Sequence, residues 1–402
     1  MERCKQRKEL HHLHLLNLLR NLMADIVQFK EKKIPLMERF GTYYLNLLGK
    51  RELTHHVFDF TDEELSYKIK RISRKGILFS AATGLACVWP TVYVDLLKQH
   101  EPWKVHYAWT SGVTVVSIAI EFYLLFIIAI KAVHEVSELL NIHAHKKDFL
   151  ASGPFNVTNI LARAALELPD PEMKILGIDP FEQISKRNLL ILGLLYKLRI
   201  FLTNFISKFL LRKGFGQTIA GVSINYVALP VECFWNGMVI YRVVREARLR
   251  LFGFALSNHI ADNLLHQHLI EQLSPEAKTG CIRAIGNALV MARNYHPNMI
   301  ILLLRFQDLL DIDTDDRYDD WDLFLETLKK VNEKEKNFLL DLFTIAISFD
   351  GKISHFEKDS IKEAYGGVYH LYQARLTQLI GHIKAGRLHA AAAVCKLDFA
   401  AG

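Results

Sequence analysis

The sequence predicts an all-α protein with a membrane-embedded region, on three observations. Residues 76–97, between Lys75 and Lys98, carry a single charge, Asp95. Residues 107–130, between His106 and Lys131, also carry one, Glu121. Each run is long enough to cross a hydrocarbon core of ~30 Å as a helix, for which about 20 residues suffice. Third, the rest of the chain repeats its apolar residues at helical spacing, and no alternating strand pattern of useful length occurs. Residues 98–106, which join the two runs, allow only a tight return, so the pair reads as a transmembrane hairpin.

The remaining elements follow in chain order. Residues 1–75 read as amphipathic cytoplasmic helices, with Leu13, Leu16 and Leu19 on one face and Phe40, Tyr44 and Leu47 on another. Thr61-Asp-Glu-Glu64 is a capping box, in which the Thr hydroxyl and Glu carboxylate satisfy each other's early helix donors. The helix it starts carries Lys68, Lys70, Arg71, Arg74 and Lys75 directly into the first run. A short helix is expected over Asn156 to Leu168, then a linker with Gly177 and Pro180. A second apolar pair follows at 188–211 and 214–241. The first member contains Lys197 and Arg199, the second Glu232 and Asn236. Two cations in mid-segment are costly in lipid, so 188–211 reads either as a span or as part of a re-entrant or interfacial hairpin. The membrane region is thus expected over 76–253.

Residues 254–402 are expected to form a cytoplasmic helical bundle. Ser274-Pro275-Glu276 is a helix start. Helices are expected over Ala277 to Tyr295, Met299 to Leu310, Trp321 to Val331, Glu335 to Ser348 and from His355, with one last helix from Val368 to about Cys395.

Charge placement gives an orientation. The chain of 402 residues has a net charge of +7, and its basic residues gather beside the apolar runs. That placement fits anionic lipid head groups rather than nucleic acid, for which no aromatic-interleaved basic motif is present. The positive-inside rule puts the 68–75 cluster, Lys131 and the Arg242–Arg250 series in the cytoplasm, which requires an even number of spans and both termini inside. The five cysteines are scattered singly, so neither a disulfide framework nor a thiolate metal site is indicated. No secretory signal pattern is read at the N-terminus.

Phe338-Leu-Leu-Asp-Leu-Phe-Thr-Ile-Ala-Ile-Ser-Phe-Asp350-Gly351-Lys-Ile-Ser354-His-Phe-Glu357 resembles the helix–Asp-Gly–helix signature of TerB-like (tellurite-resistance) domains. The resemblance covers roughly 270–366 and implies a helical bundle of bacterial stress proteins, often attached to membrane segments. The first half has Asn294-Tyr-His-Pro-Asn298 at the corresponding bend and lacks the Asp-Gly. Residues 76–253, with Leu229-Pro230, Asn236 and an Arg-rich exit helix, look like bacterial EcsC-like membrane proteins, although with less glycine. Together the two resemblances imply a bacterial inner-membrane protein.

Three sets of residues are candidates for chemistry. Asp350, Ser354 and Glu357 could surround a cation, as the TerB resemblance implies; equally, Asp-Gly makes a turn and Ser354/Glu357 caps the next helix. Asp311, Asp313, Asp315, Asp319 and Asp322 fall at positions 1, 3, 5, 9 and 12 of an EF-hand loop. Asp316 stands where that loop needs glycine and Asp322 where it needs the longer Glu, so a looser divalent site, for calcium for instance, or a solvated acidic loop is expected. Asp95, Glu121 and Glu232 are carboxylates in apolar runs. Glu121 or Glu232 paired with Lys197 or Arg199 would tie the hairpins together, the alternative being an ion or proton path.

No phosphate-cradling loop, nucleophile elbow or H-E-x-x-H motif is present, so no enzyme is expected. The sequence reads as a membrane anchor that presents a cytoplasmic helical module to a protein partner, a second copy of itself or a divalent cation. A transporter or channel component using the intramembrane carboxylates is the alternative.

Overall fold

A computed structural model describes residues 36–48, 57–98, 100–140, 156–168, 176, 178, 224–265, 267–293, 295–310, 312, 318–353 and 355–397. Among them every regular element is helical and no strand forms. The first helix, α1 (Leu36–Leu47), is followed by a 3₁₀ turn at Val57–Asp59. Two long helices come next, α2 (Asp62–Leu97) and α3 (Trp103–Leu139). The capping box forms as expected, with Thr61 accepting from the Glu64 amide and Glu64 from the Thr61 amide. From there α2 runs without a break through Lys75 and the whole 76–97 run. Helix α3 likewise contains all of 107–130 and continues past Lys131.

Helices α2 and α3 are antiparallel. Asp95 meets His106 beside the turn, and Lys75 meets Glu135 at the far end. Helix α4 (Val157–Ala165), capped by Asn156, packs on α1. There the fully buried Arg163 holds the buried Glu38 in an ion pair of 2.9 Å.

Helix α5 (Ile224–His259) is one element where the sequence suggested a span followed by a separate exit helix. It passes the expected domain boundary at 253 unbroken, then widens into a π turn at Ile260–Leu264. Its first half lies against α2: Gly84 faces Asn236 and Glu232, and Gly76 faces Ile240. Residue numbers therefore rise along α5 as they fall along α2, so the two are antiparallel and α5 runs parallel to α3. Glycine lets the helices approach closely here: a Cβ on Gly84 would stand 2.6 Å from Asn236 Nδ2, and that side chain would have to shift. The second half of α5 belongs to the C-terminal core. Asn298 reaches over Gly253 and donates from Nδ2 to the carbonyls of Leu249 and Phe349.

The C-terminal elements are α6 (Gln267–Gln272), α7 (Pro275–Ala292), α8 (Pro297–Leu310), α9 (Trp321–Lys330), α10 (Glu333–Ser348), α11 (His355–Tyr365), α12 (Tyr369–Ala385) and α13 (Leu388–Val394). Helices α7 and α10 form the centre, with Gly280 tight against Leu339 and Thr327. The rings of Trp321, Phe324, Phe343 and Tyr365 close one side.

The tail expected as one helix is two. Gly386 at φ +74° ends α12 in the left-handed conformation, which suits glycine. Helix α13 then returns to the start of α2, where the Asp62 carboxylate accepts from the amides of His389 and Ala390 at 2.8 and 3.0 Å.

Among the described helices only α2 and α3 are long and apolar enough to cross a membrane. Helix α5 falls short of that test, its first half carrying Asn225, Glu232 and Asn236. Residues 188–211 and the first ten residues of the expected 214–241 run lie outside the described residues.

Candidate functional site

Two polar centres result from this packing, one inside the hairpin and one between α5 and the C-terminal helices. In the first, Glu121 on α3 and Glu232 and Asn236 on α5 are all buried, along with Ser80 and Ser117. Asn236 stands one turn beyond Glu232, so both face the α2–α3 groove. Its Nδ2 donates to Glu121 Oε1 at 2.7 Å. The amide carries no charge, so the Glu121 carboxylate is solvated by a dipole.

Sequence reasoning looked for a cation here. Lys197 and Arg199, its candidates, lie outside the described residues. In the sequence Asn236 reads as a polar residue of the last apolar run and as part of the EcsC-like pattern, not as the partner of Glu121. The usable signal was the i, i+4 spacing of Glu232 and Asn236 on a helix that must face a glycine.

Asp95 lies apart from this centre, near the turn of the hairpin. Its Oδ1 is 3.1 Å from His106 Nε2, while His106 Nδ1 is 2.8 Å from the Lys98 carbonyl. Both ring nitrogens thus face acceptors, and both contacts are hydrogen bonds only when the ring carries two protons. This pair ties the two helix ends across the turn.

The second centre gathers around the start of α8. His296 precedes that helix and is 94% buried, and neither ring nitrogen has a hydrogen-bond partner among the described residues. Burial drives its pKa down to about 3, with Arg250 and Lys352 acting in the same direction and Glu246 opposing them. The imidazole is therefore neutral at ordinary pH. Glu246 pairs with Arg250 at 2.9 Å. Burial alone would raise the Glu246 carboxyl, but Arg250, His296 and Lys352 outweigh it and hold the pKa below its usual value.

Beyond Phe349 the chain turns at Asp350-Gly351. Asp350 Oδ1 accepts from the Lys352 amide at 2.8 Å, an Asx turn, and Gly351 adopts φ +71°. Asp350 and Glu357 are both buried. Burial raises the Asp350 pKa to about 6, and the Glu357 charge adds to the rise, while the Lys352 amide and the charges of Lys352 and Lys384 oppose it.

These two carboxylates are the described part of the expected cation site. Ser354 lies outside the described residues, as do Asp311, Asp313 and Asp315. Among the described residues, no group of three or more His, Cys, Asp or Glu side chains comes together in a way that could hold a metal ion.

Compared with protein-family models, with curated proteins and with solved structures, the chain matches none.

Proposed function

We propose that this is a membrane anchor whose long helix α5 carries a helical module at the cytoplasmic face, in the manner of a bacterial inner-membrane protein. The observation that carries this reading is the bareness of α2 and α3. Only 22% of the most apolar 18-residue window of each helix is buried. A core helix of a water-soluble protein would be covered, and an uncovered apolar face of this length suits a bilayer. Tyr93, Trp103, Tyr107 and Trp109 surround the turn, and Lys75 and Lys131 stand at the other end, the arrangement expected of an interfacial aromatic belt and a cytoplasmic basic edge.

The parallel course of α3 and α5 supports an even number of crossings. Leu139 ends α3 at the basic end. Ile224 begins α5 twelve residues, ~18 Å, before Asn236, and so near the turn end. A return between them would make four crossings, or two with a re-entrant or interfacial hairpin, with both termini in the cytoplasm.

The module's role in this reading is to bind a protein partner or respond to a divalent cation through Asp350 and Glu357, the TerB-like pattern. Alkaline carbonate extraction of membranes tests the anchor: the full chain stays in the pellet, and its release would remove the reading. Calcium titration of the detergent-purified full chain tests the sensor. An upward shift in melting temperature that Asp350→Asn abolishes supports it, and no shift with calcium, magnesium or manganese removes it.

A second reading, a transporter or channel component, rests on Glu121 held by Asn236 inside an apolar bundle. Ion or proton flux in proteoliposomes that Glu121→Gln abolishes would favour it over the anchor.

A further inference from the structure

Helix α2 carries a stripe that neither polar centre uses. Tyr67, Arg71, Arg74, Leu78, Leu85 and Trp89 follow one another at spacings of three, four or seven residues, which places them along one helical face. All six are exposed, Tyr67 by 68% and Leu78 by 71%. Lys70, also exposed, flanks the two arginines.

The basic residues around it are differently occupied. Lys68 lies over the Phe60 ring at 3.7 Å, and Lys75 pairs with Glu135. Lys70, Arg71 and Arg74 make no ion pair among the described residues. Three uncommitted cations therefore stand directly above an apolar track. From Arg74 to Trp89 the track rises fifteen residues, ~22 Å, comparable with one leaflet, roughly half of a ~40–45 Å bilayer.

We propose that this stripe is a binding site for one anionic glycerophospholipid of the cytoplasmic leaflet. Arg71 and Arg74 take the phosphate, with the planar forks suited to bidentate contact, and Lys70 adds charge. An acyl chain lies along Leu78 and Leu85 and ends at Trp89. A soluble polyanion would use the cations and leave the apolar track bare, whereas a zwitterionic lipid would use the track and gain little from three cations. The site rests on the membrane reading proposed above.

The test uses the full chain reconstituted in nanodiscs of phosphatidylcholine. All proteins compared carry Trp103→Phe, Trp109→Phe, Trp235→Phe and Trp321→Phe. Brominated phosphatidylglycerol or brominated phosphatidylcholine is added at equal mole fraction, and quenching of the remaining tryptophan reports occupancy beside Trp89. Wild type is expected to prefer phosphatidylglycerol, with the preference falling as salt rises. Lys70→Gln, Arg71→Gln and Arg74→Gln together are expected to erase it, at on the order of fivefold in relative affinity per cation. Arg71→Lys with Arg74→Lys keeps the charge and part of the preference. The control Lys329→Gln, Lys358→Gln and Lys362→Gln changes exposed cations far from the hairpin and leaves it intact.

Equal quenching by both lipids in wild type, or a preference that survives the triple substitution, overturns the site. If the triple variant fails to insert, the wild-type preference and its salt dependence decide. Carbonate extraction separates the two levels: retention with equal quenching removes only the lipid site, and release removes the membrane reading as well.

Discussion

Asn236 on α5 donates from Nδ2 to Glu121 Oε1 on α3 at 2.7 Å, in the space that Gly84 of α2 leaves open. Three helices are joined at this point by one side-chain contact and one missing Cβ. Gly84→Ala would push a methyl to 2.6 Å from the amide nitrogen and force Asn236 away. The expected cost is about 1–3 kcal/mol, as for overpacking of a tight site. Glu121→Gln keeps an acceptor and should be mild, while Glu121→Leu leaves a buried amide unsatisfied and costs about 1–3 kcal/mol. Thermal unfolding in detergent, followed by circular dichroism, ranks the three. Equal stability of Gly84→Ala and wild type would contradict the crossing.

Asp350 makes a prediction about pH. Its folded pKa is raised to about 6 from the ordinary 3.8, first by burial. The sign for a raised carboxyl is that its contribution is fully present below pH ~4 and is lost as pH rises through about 6. Asp350→Asn keeps the Oδ1 acceptor of the Asx turn and removes the ionisation. The variant should match wild type at pH 4 and exceed it at pH 8, by up to about 3 kcal/mol. Denaturant titrations at the two pH values check this, and a variant less stable at pH 8 would show the ionised carboxylate to be held by something favourable.

His296 acts in the opposite direction. A histidine held near pKa 3 by burial contributes stability that is present above its ordinary pKa of 6.5 and lost as pH falls toward 3. Both nitrogens lack partners among the described residues, so His296→Phe removes a desolvation cost and none of the described hydrogen bonds. Its acid-unfolding midpoint should lie below that of wild type. A midpoint at higher pH would mean that the imidazole makes a contact on which the fold depends.

The Arg163–Glu38 pair fastens α1 to α4 in the interior. Glu38→Ala removes the carboxylate from an ion pair whose guanidinium is 1% exposed, at about 3–5 kcal/mol. Glu38→Leu combined with Arg163→Met should recover most of that loss, since a buried ion pair can be replaced by apolar groups of similar size. Chemical denaturation of the single and double variants distinguishes the two outcomes. A double variant as weak as the single would point to strain rather than to a stranded charge.

Much of this fold could be read from the sequence because its signals are local. Thr61-x-x-Glu64 gave the start of α2, Ser274-Pro275 the start of α7, and the two apolar runs with one charge each the hairpin. Gly386 was an available stop signal, following Lys384 in the last turn of α12, and the apolar spacing across it concealed the break. The partner of Glu121 was harder to see. Any polar residue on a facing helix satisfies the same pattern, and what selects Asn236 is its register against Gly84, a tertiary relationship. His296 gave no sign at all, since an unpartnered buried imidazole is set by neighbours on α5 and beside Asp350 that sequence spacing does not connect.

In the proposed arrangement α2 and α3 cross a bilayer with the turn outside and the C-terminal helices inside. Single cysteines at 101, on the turn, and at 358, on the surface of α11, test it in a background without the native thiols. With intact spheroplasts, a membrane-impermeant maleimide should label position 101 at once and position 358 only after lysis. Labelling of 358 in intact cells with 101 protected, or protection of both until lysis, would contradict the account.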